Sequence, residues 1–347
     1  IQKNQSTHTT ATPHTRHKMT NNTFDNLVQQ VDNDKSISDH QKSIILANIA
    51  KLKDTKVNLL IVGATGCGKS STINALFSTE KAKVGQSPHP ETMEISKYEL
   101  NNIVVYDSPG LGDGKEADIK HAKGITSLLY EKGADNNLLI DLVLVIIDGG
   151  SRDLGTSFEL INNVIMPALD NDKSRLLVAI NQADMAMKGR HWNFDENRPE
   201  LPLIKFLDEK VDSTKNRIKE ATGVSVDVIY YAAGYKDGDT NARPYNLSKL
   251  FAFILRHTKK EKRAVFINDV NTKKEMWTDD DRVSNYREEI KQTLVESIKE
   301  GAATGSEIGG QIGKVLGMET IGKVAGAVIG GAVAAVGNII SSALSWW

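Results

Sequence analysis

The sequence predicts an α/β fold in which a mainly parallel sheet of six strands carries helices on both faces. From Val57 onward, short runs rich in Val, Ile and Leu alternate with amphipathic stretches, and strands buried on both faces have this continuous apolar character. Two runs are separated only by Asn101-Asn102, a spacing typical of a hairpin, so one strand is expected to be antiparallel. The predicted strands are Val57–Val62, Ile95–Leu100, Ile103–Tyr106, Leu142–Ile147, Arg175–Ile180 and Val226–Tyr231.

Helices are predicted where apolar residues recur at helical spacing between these strands. A further helix is expected after the last strand region, because three consecutive aspartates precede it and acidic residues favour the positive end of a helix dipole. The predicted helices are Lys69–Phe77, Ala117–Tyr130, Ser157–Leu169, Ile204–Thr222, Leu247–Arg256 and Arg282 to Glu300.

Changes in composition divide the chain into five segments. The first is polar and rich in Thr and His, with patterned sequence beginning only after Met19, so we expect a disordered leader there. Residues 259–274 are basic and mixed, which is typical of a solvated linker; weak contact with acidic lipid or RNA is the alternative. The segments are a leader at 1–20, an N-terminal helical segment at 21–55, the α/β domain at 56–258, a linker and helix at 259–300, and a glycine-zipper region at 301–347.

Overall composition excludes several classes of protein. The 347 residues carry a net charge of −1, which argues against nucleic-acid or ribosome binding by bulk electrostatics and leaves a local contact open. The single cysteine excludes an internal disulfide and a metal site built on several thiolates. Such cysteine usage indicates a reducing, cytoplasmic compartment.

One motif predicts a phosphate-binding loop. Residues 63–70 fit G-x-x-x-x-G-K-[ST] completely, and they lie between a predicted strand and a predicted helix. Backbone N–H groups of such a loop converge on phosphate oxygens at the positive end of the helix. The lysine is expected to reach the β- and γ-phosphates, and the following serine to ligate Mg²⁺. The predicted nucleotide-binding residues here are Gly63, Ala64, Thr65, Gly66, Cys67, Gly68, Lys69, Ser70 and Ser71.

Two further positions are expected to face the metal and the γ-phosphate. Asp107 ends a predicted strand in Asp107-Ser108-Pro109-Gly110, 37 residues after Ser70, where a carboxylate can hold Mg²⁺ and the Gly110 N–H can meet a γ-phosphate. Thr92 lies 22 residues after Ser70, in a loop that can close on Mg²⁺ when a γ-phosphate is present. Its competitors for that role are Ser78, Thr79 and Ser87.

Two motifs predict recognition of the base. Asn181-Gln182-Ala183-Asp184 follows a predicted strand, and the Asp184 carboxylate is expected to accept hydrogen bonds from guanine N1–H and the exocyclic amine. Adenine lacks that pair of donors, so guanine is selected. Ala232-Ala233-Gly234 follows the last predicted strand, and its small residues would let a backbone N–H approach guanine O6.

Taken in this order, the motifs resemble those of translation-factor-related GTPases, and most of all the Era-like branch with its prophage-type members. The resemblance rests on the opening from Gly63 to Ser71 followed by Thr-Ile-Asn-Ala-Leu, and it covers roughly residues 45–258. The immunity-related GTPases of animals have a similar phosphate loop. The resemblance implies a Ras-like P-loop GTPase domain that uses GTP or GDP with Mg²⁺. It also implies catalytic roles for Lys69, Thr92 and Gly110, with Ser70, Thr92 and Asp107 holding the metal.

Departures from the family pattern bear on affinity and rate. Gln182 stands where the family has a lysine that packs over the base and braces the phosphate loop, so we expect modest affinity. Ala232 replaces the usual serine of the last motif. Leu111 stands where Ras-like enzymes carry a water-positioning glutamine, so intrinsic hydrolysis should be slow unless another group acts. Asp113 and His191 are alternative water-positioning groups.

The expected activity is hydrolysis of GTP to GDP and phosphate, with the nucleotide state ordering the loops around Thr92 and Gly110. Two alternatives are kept. One is a membrane-acting or assembly protein whose C-terminal tail is the effector and whose nucleotide only regulates it. The other is a nucleotide-binding scaffold that does not hydrolyse GTP. A homodimer formed across the nucleotide face is a further partner hypothesis.

The tail supports the membrane alternative by its composition. Glycines recur at four-residue spacing between Gly301 and Gly317, and again between Gly322 and Gly330, which favours close helix–helix contact. The 24 residues from Val324 to Trp347 carry no charged side chain, and a bilayer is crossed by about 20 apolar residues. The hypotheses are peripheral or integral attachment to the inner membrane, or a soluble helical hairpin docked on the rest of the chain.

Overall fold

The computed structural model describes most of the chain between Thr23 and Ile298, together with a few positions near the C-terminus. The expectations of a disordered leader at 1–20 and of a glycine zipper from 301 to 330 fall outside the described residues, as does Thr92. The described residues are 23–77, 83–86, 95–112, 114–169, 172–237, 240–298, 337, 338, 340, 341 and 344.

A mainly parallel sheet forms the centre of the molecule. Its strand order is β2-β3-β4-β1-β5-β6-β9, and the contacts of β1 with β4 and β5, of β5 with β6 and of β6 with β9 are parallel. The β3–β4 hairpin is antiparallel, as the Asn101-Asn102 spacing predicts. The strands are β1 Val57–Gly63, β2 Lys83–Gln86, β3 Ser96–Glu99, β4 Ile103–Asp107, β5 Leu142–Asp148, β6 Leu176–Asn181, β7 Trp192–Asn193, β8 Arg198–Pro199, β9 Val228–Tyr230, β10 Tyr235–Asp237 and β11 Thr240–Ala242.

The expectation of six strands in this sheet is wrong, because β2 adds a seventh at the edge. This strand pairs antiparallel with β3 through backbone hydrogen bonds. Its sequence, Lys-Val-Gly-Gln, contains a single strong strand former. An edge strand of this composition leaves no apolar run or alternation to detect.

The predicted helices are confirmed with shifts of a few residues at their ends. The stretch expected at Ser157–Leu169 is interrupted by a π-helical turn at Ile161–Ile165. Two N-terminal helices form the segment expected at 21–55, and Ser38 begins the second with a capping box that involves Gln41. The helices are α1 Thr23–Asn33, α2 Asp39–Asp54, α3 Lys69–Leu76, α4 Lys115–Tyr130, α5 Gly155–Leu160, α6 Met166–Leu169, α7 Leu201–Thr222 and α8 Leu247–His257, and residues 286–298 are also helical.

The two faces of the sheet carry separate apolar clusters, as the alternation of β1 shows. Leu59 and Ile61 join one cluster with side chains from α1, α2, α3 and α8. Leu60 and Val62 point to the opposite face and join a second cluster with side chains from α4 to α7. All four are fully buried, which accounts for the unbroken apolar run in the sequence.

The expectation of a solvated linker at 259–274 is wrong for its centre. Residues Lys260–Asn268 form a 3₁₀ segment in which Ala264, Val265, Phe266 and Ile267 are buried against the first cluster. The nearby basic residues do not prevent this burial: Lys260 is exposed, while Lys262 and Arg263 are half-buried. The segment is therefore part of the core.

The same segment anchors the β3–β4 turn and so fixes the start of β4. The Asp269 carboxylate accepts hydrogen bonds from the backbone N–H groups of Asn102 at 2.6 Å and Ile103 at 2.7 Å. The Asn102 side chain donates to the Thr55 carbonyl, just beyond α2, at 2.8 Å. Since β4 ends at Asp107, these contacts position that carboxylate from the far end of the strand.

The last described helical stretch begins at residue 286, four residues later than the Arg282 start we predicted. Arg282 has a φ of 55°, a left-handed conformation that a helix does not continue. Asp281 accepts hydrogen bonds from Lys249 at 2.6 Å and from the Tyr286 hydroxyl at 2.8 Å. These contacts, rather than the helix dipole, explain why an aspartate lies at position 281.

Parts of the C-terminal end pack on the body of the protein. Ile340 and Leu344 are buried in the first apolar cluster, with which α1 and α2 also pack. Within the described ranges, no helix has the length and apolar character needed to cross a membrane.

Candidate nucleotide-binding site

The phosphate loop, residues 63–70, connects β1 to α3 as the motif predicts. Its carbonyls are held by side chains: the Asn181 amide donates to Cys67 O at 2.9 Å, and the Gln182 amide donates to Gly66 O at 2.7 Å. Gly68 has a φ of 89°, and a Cβ at this position would lie 2.2 Å from the Asn181 amide nitrogen. Only glycine fits here, which explains why the motif needs it.

Lys69 lies at the first turn of α3 and its ammonium turns back over the loop. It donates to the carbonyls of Gly63 and Ala64, at 3.2 Å in each case. Among the described residues its hydrogen-bond acceptors are these neutral carbonyls, and an anionic ligand would be a stronger acceptor. Ser71 is exposed on the same helix.

Ser70 and Asp107 meet at the carboxyl end of β4. The Ser70 hydroxyl donates to Asp107 Oδ2 at 3.3 Å. Burial raises the pKa of the Asp107 carboxyl, while the nearby Lys69 charge and the Ser70 hydrogen bond oppose that shift. Asp107 Oδ1 is buried and has no hydrogen-bond partner among the described residues. A buried, unpartnered carboxylate oxygen beside a hydroxyl fits a Mg²⁺ ligand pair, because Mg²⁺ takes oxygen ligands.

The residues after Asp107 lie directly on the phosphate loop. A Cβ on Gly110 would lie 2.5 Å from Thr65 Cα and 2.6 Å from Thr65 N, so the close approach requires glycine. The Thr65 N–H donates to Leu111 O at 3.0 Å, and Ala64 and Leu111 form a parallel bridge. Leu111 is only 6% exposed and packs in the second apolar cluster. Its side chain is thus committed to the core.

Two residues of α4 that the sequence analysis missed contact this loop. His121 Nδ1 lies 3.2 Å from Gly110 O, and the Asp118 carboxylate accepts from the Gly112 N–H at 2.8 Å. In the sequence, these two residues are marked only by lying in the polar first half of a helix that begins just after the D-x-x-G motif. Of the water-positioning alternatives, Asp113 lies outside the described residues, and His191 pairs with Glu200 at 3.2 Å.

Asn181 links the phosphate loop to the loop after β9. Its amide oxygen accepts from the Ala233 N–H at 2.9 Å while its amide nitrogen donates to Cys67 O. The bridge of Gln182 to Gly66 O takes up the bracing that we expected to be lost with the family's lysine. Gln182 reaches the loop because it adopts a left-handed conformation, with a φ of 58°.

Asp184 follows in a short 3₁₀ turn, Ala183–Met185. Burial raises the pKa of its carboxyl, and the backbone N–H groups of Asp184 and Met185 oppose that shift. A partly desolvated carboxylate of this kind favours a ligand that brings hydrogen-bond donors.

The backbone N–H groups of Ala232 and Ala233 already donate to other acceptors, which bears on the expected contact between the loop after β9 and guanine O6. Ala232 N donates to Tyr245 O at 3.0 Å, and Ala233 N donates to Asn181 Oδ1. The next N–H along the chain, that of Gly234, is the one left to consider for guanine O6. Tyr231, just before, places its hydroxyl 2.7 Å from that of Thr72 beneath the phosphate loop.

Cys67 is fully buried beneath the phosphate loop, and burial raises the pKa of its thiol to about 11. At pH 8 about one thiol in a thousand would be ionised, and the thiolate is the nucleophile. We expect native protein to resist iodoacetamide and to keep its nucleotide affinity. Mass spectrometry after alkylation would measure this, with urea-unfolded protein as the fully labelled control. Rapid labelling of the native protein would contradict it.

The chain matches known proteins over part of its length. Residues 58–182 match a family model described as 50S ribosome-binding GTPase. Over 148 residues the chain is 29% identical to the uncharacterized protein YfjP of Escherichia coli, which covers 41% of this chain and 47% of that protein. Over 157 residues it is 26% identical to the probable GTP-binding protein EngB of Malacoplasma penetrans, covering 42% of this chain and 72% of that protein. The chain therefore spans about half of YfjP and less than three quarters of this EngB.

Solved structures were also found to be similar. The crystal structure of a probable GTP-binding protein engB has 21% identity and a TM-score of 0.35, covering 58% of this chain and 98% of that one. The LeoA bacterial dynamin GTPase from ETEC has 14% identity and a TM-score of 0.39, covering 84% of this chain and 46% of that one.

The family match includes the phosphate loop, Asp107 to Gly110 and Asn181-Gln182, and it ends two residues before Asp184. Together with the parallel sheet and the loops at its carboxyl edge, the match identifies residues 58–182 as a P-loop GTPase domain of the family described as 50S ribosome-binding GTPase.

Proposed function

We propose that this chain binds GTP and GDP and hydrolyses GTP to GDP and phosphate with Mg²⁺, acting as a nucleotide-dependent switch. One observation carries the proposal: the Asn181 amide joins the phosphate loop to the loop after β9 through Cys67 O and the Ala233 N–H. Those two loops hold the groups expected at opposite ends of the nucleotide. The Asn181 side chain thus connects the loop proposed to bind the phosphates with the loop proposed to contact the base.

Phosphate binding is supported by the hydrogen bonds that hold the phosphate loop. The carbonyls of Gly66 and Cys67 accept hydrogen bonds from side chains at the neighbouring strand end, and such contacts within the protein favour one conformation of the loop. Lys69 would exchange its two neutral carbonyl acceptors for phosphate oxygens, which gives stronger charge-assisted hydrogen bonds.

Ser70 and Asp107 would hold the metal ion. Bound Mg²⁺ neutralises charge on the β- and γ-phosphates. The raised pKa of Asp107 reflects burial that Lys69 and Ser70 only partly offset, and a cation beside the carboxyl would favour the ionised form. Thr92 stays a proposed third ligand, because it lies outside the described residues.

At the base end, Asp184 would accept from guanine N1–H and the exocyclic amine. Its partly buried carboxylate would be left without donors by adenine, and a site built on such groups rejects the wrong ligand strongly. The O6 contact would come from the Gly234 N–H, because the N–H groups of Ala232 and Ala233 already donate to other acceptors.

For hydrolysis, the Gly110 N–H would meet the γ-phosphate, and His121 contacts the Gly110 carbonyl. The burial of Leu111 supports slow intrinsic turnover, since a buried apolar side chain has no group with which to position the attacking water. A scaffold that binds without hydrolysis is the alternative. It predicts nucleotide affinity without phosphate release.

Calorimetry with GTP, GDP and ATP, with and without Mg²⁺, tests the binding proposal, and phosphate release tests hydrolysis. We expect guanine nucleotides to bind about 100-fold more tightly than ATP or better, GTP to depend on Mg²⁺ more than GDP, and slow phosphate release to be measurable. Equal affinity for ATP and GTP, or no binding, would overturn the proposal.

The C-terminal tail is proposed as a second functional element, either attached to a membrane or docked on the helices. Burial of Ile340 and Leu344 in the cluster that contains α1 and α2 residues favours docking for this last part. Fractionation of the full chain between soluble and carbonate-resistant membrane fractions decides between the two. Recovery in the membrane fraction would overturn the docked form.

A further inference from the structure

Lys210 lies in the middle of α7 and binds a loop outside the motifs discussed so far. Its ammonium donates to Gly149 O and Ser151 O, at 2.7 Å in each case. These carbonyls belong to the loop of residues 149–151 that follows β5, here called the glycine loop. Burial lowers the pKa of the Lys210 amine, and the neighbouring Asp148 charge opposes that shift.

The glycine loop packs against the backbone of the base motif. The Gly149 N–H donates to Asn181 O at 2.7 Å. A Cβ on Gly149 would lie 2.5 Å from Asn181 O and 3.0 Å from Gln182 O, so the two backbones are in direct contact. One residue further on, a Cβ on Gly150 would lie 3.4 Å from Met185 O, immediately after Asp184.

We propose that Lys210 is a positioning residue for guanine specificity: it holds the glycine loop against residues 181–185 and thereby fixes where Asp184 meets the base. This inference rests on the proposed recognition of guanine by Asp184. Lys210 itself is not expected to touch the nucleotide.

The structure explains why a lysine on this helix is suited to the task. Buried Leu203, Leu207, Thr214 and Ile218 fix α7 along its length, so the Lys210 backbone is a rigid support. Two carbonyls converge on one ammonium, whereas methionine, which has a similar length, supplies no donor. Removing the charge would leave both carbonyls without this donor and free the glycine loop to move off the base motif.

The test compares GDP with IDP, which lacks the exocyclic amine that Asp184 is expected to accept. Lys210→Met should lower the ratio of GDP to IDP affinity by about fivefold. IDP affinity should fall less than GDP affinity, because IDP offers Asp184 only its N1–H. Gly149→Ala should lower the same ratio without altering the lysine, because its Cβ would push against Asn181 O. Lys205→Met, at an exposed position on the same helix, is the matched control and should behave as wild type.

The outcomes separate this inference from the proposed function. If the wild-type protein shows no preference for GDP over IDP, the proposed guanine recognition fails. If the wild type discriminates and a folded Lys210→Met protein keeps the wild-type ratio, with thermal stability lowered or not, the positioning role of Lys210 is wrong. A lowered ratio in folded Lys210→Met, with Lys205→Met unchanged, supports it. If Lys210→Met does not fold, Gly149→Ala decides: an unchanged ratio contradicts the role and a lowered ratio supports it.

Discussion

Asp184→Asn is expected to exchange guanine recognition for xanthine recognition. The carboxylate can accept from both guanine donors, whereas the amide would present its NH₂ to the guanine exocyclic amine, donor against donor. Xanthine has a carbonyl at that position, which accepts from the amide. With hydrogen bonds to charged groups contributing about 1.5–3 kcal/mol each, we expect GDP affinity to fall about 100-fold or more. Titration with GDP and XDP measures both changes.

The pH dependence of the wild-type protein provides an internal control for that substitution. Burial raises the pKa of Asp184, so the carboxyl takes up a proton at a higher pH than an exposed aspartate does. The protonated form cannot accept from both donors, so GDP affinity should fall as pH falls through that raised pKa. The Asp184→Asn protein should lose this dependence. Unchanged GDP affinity in the variant would remove Asp184 from the base site.

Lys69→Met is expected to abolish most nucleotide affinity. The methionine keeps an unbranched apolar side chain and removes the ammonium that would bridge the β- and γ-phosphates. Loss of two charge-assisted hydrogen bonds corresponds to about 3 kcal/mol or more, roughly 100-fold in the dissociation constant for GTP. Calorimetry with GTP and Mg²⁺ measures the effect.

Lys51→Met is the matched control for this experiment. Lys51 lies exposed on α2, outside the nucleotide site, so its charge is removed without changing any proposed ligand contact. The control should bind GTP as the wild type does. Wild-type GTP affinity in a folded Lys69→Met protein would mean that the phosphates bind elsewhere.

Much of the fold is predictable because buried parallel strands and the amphipathic helices between them carry strong local signals. Leu142 to Ile147 is apolar throughout, and its helical neighbours begin and end within a few residues of the expected positions. The features missed depend on tertiary contacts. Strand β2 forms by pairing with β3 at the sheet edge, and Phe266 lies in the core although basic residues surround it in sequence.

In the candidate site, too, some residues could be predicted from local sequence and others depend on tertiary contacts. Lys69, Ser70 and Asp107 follow from motif spacing, since a strand end fixes where each residue lies. Sequence alone gave no indication that the shorter Gln182 reaches Gly66 O, because that contact depends on a left-handed backbone conformation. The engaged N–H of Ala233 was likewise invisible, since its acceptor lies 52 residues away in the chain.

The position of Cys67 has a consequence for oxidative stress. It is the one thiol in this sequence, and oxidation of a thiol by hydrogen peroxide or by disulfide exchange proceeds through an accessible thiolate. A buried thiol whose pKa is raised to about 11 supplies neither access nor charge. In the folded form, peroxide should therefore leave this cysteine reduced.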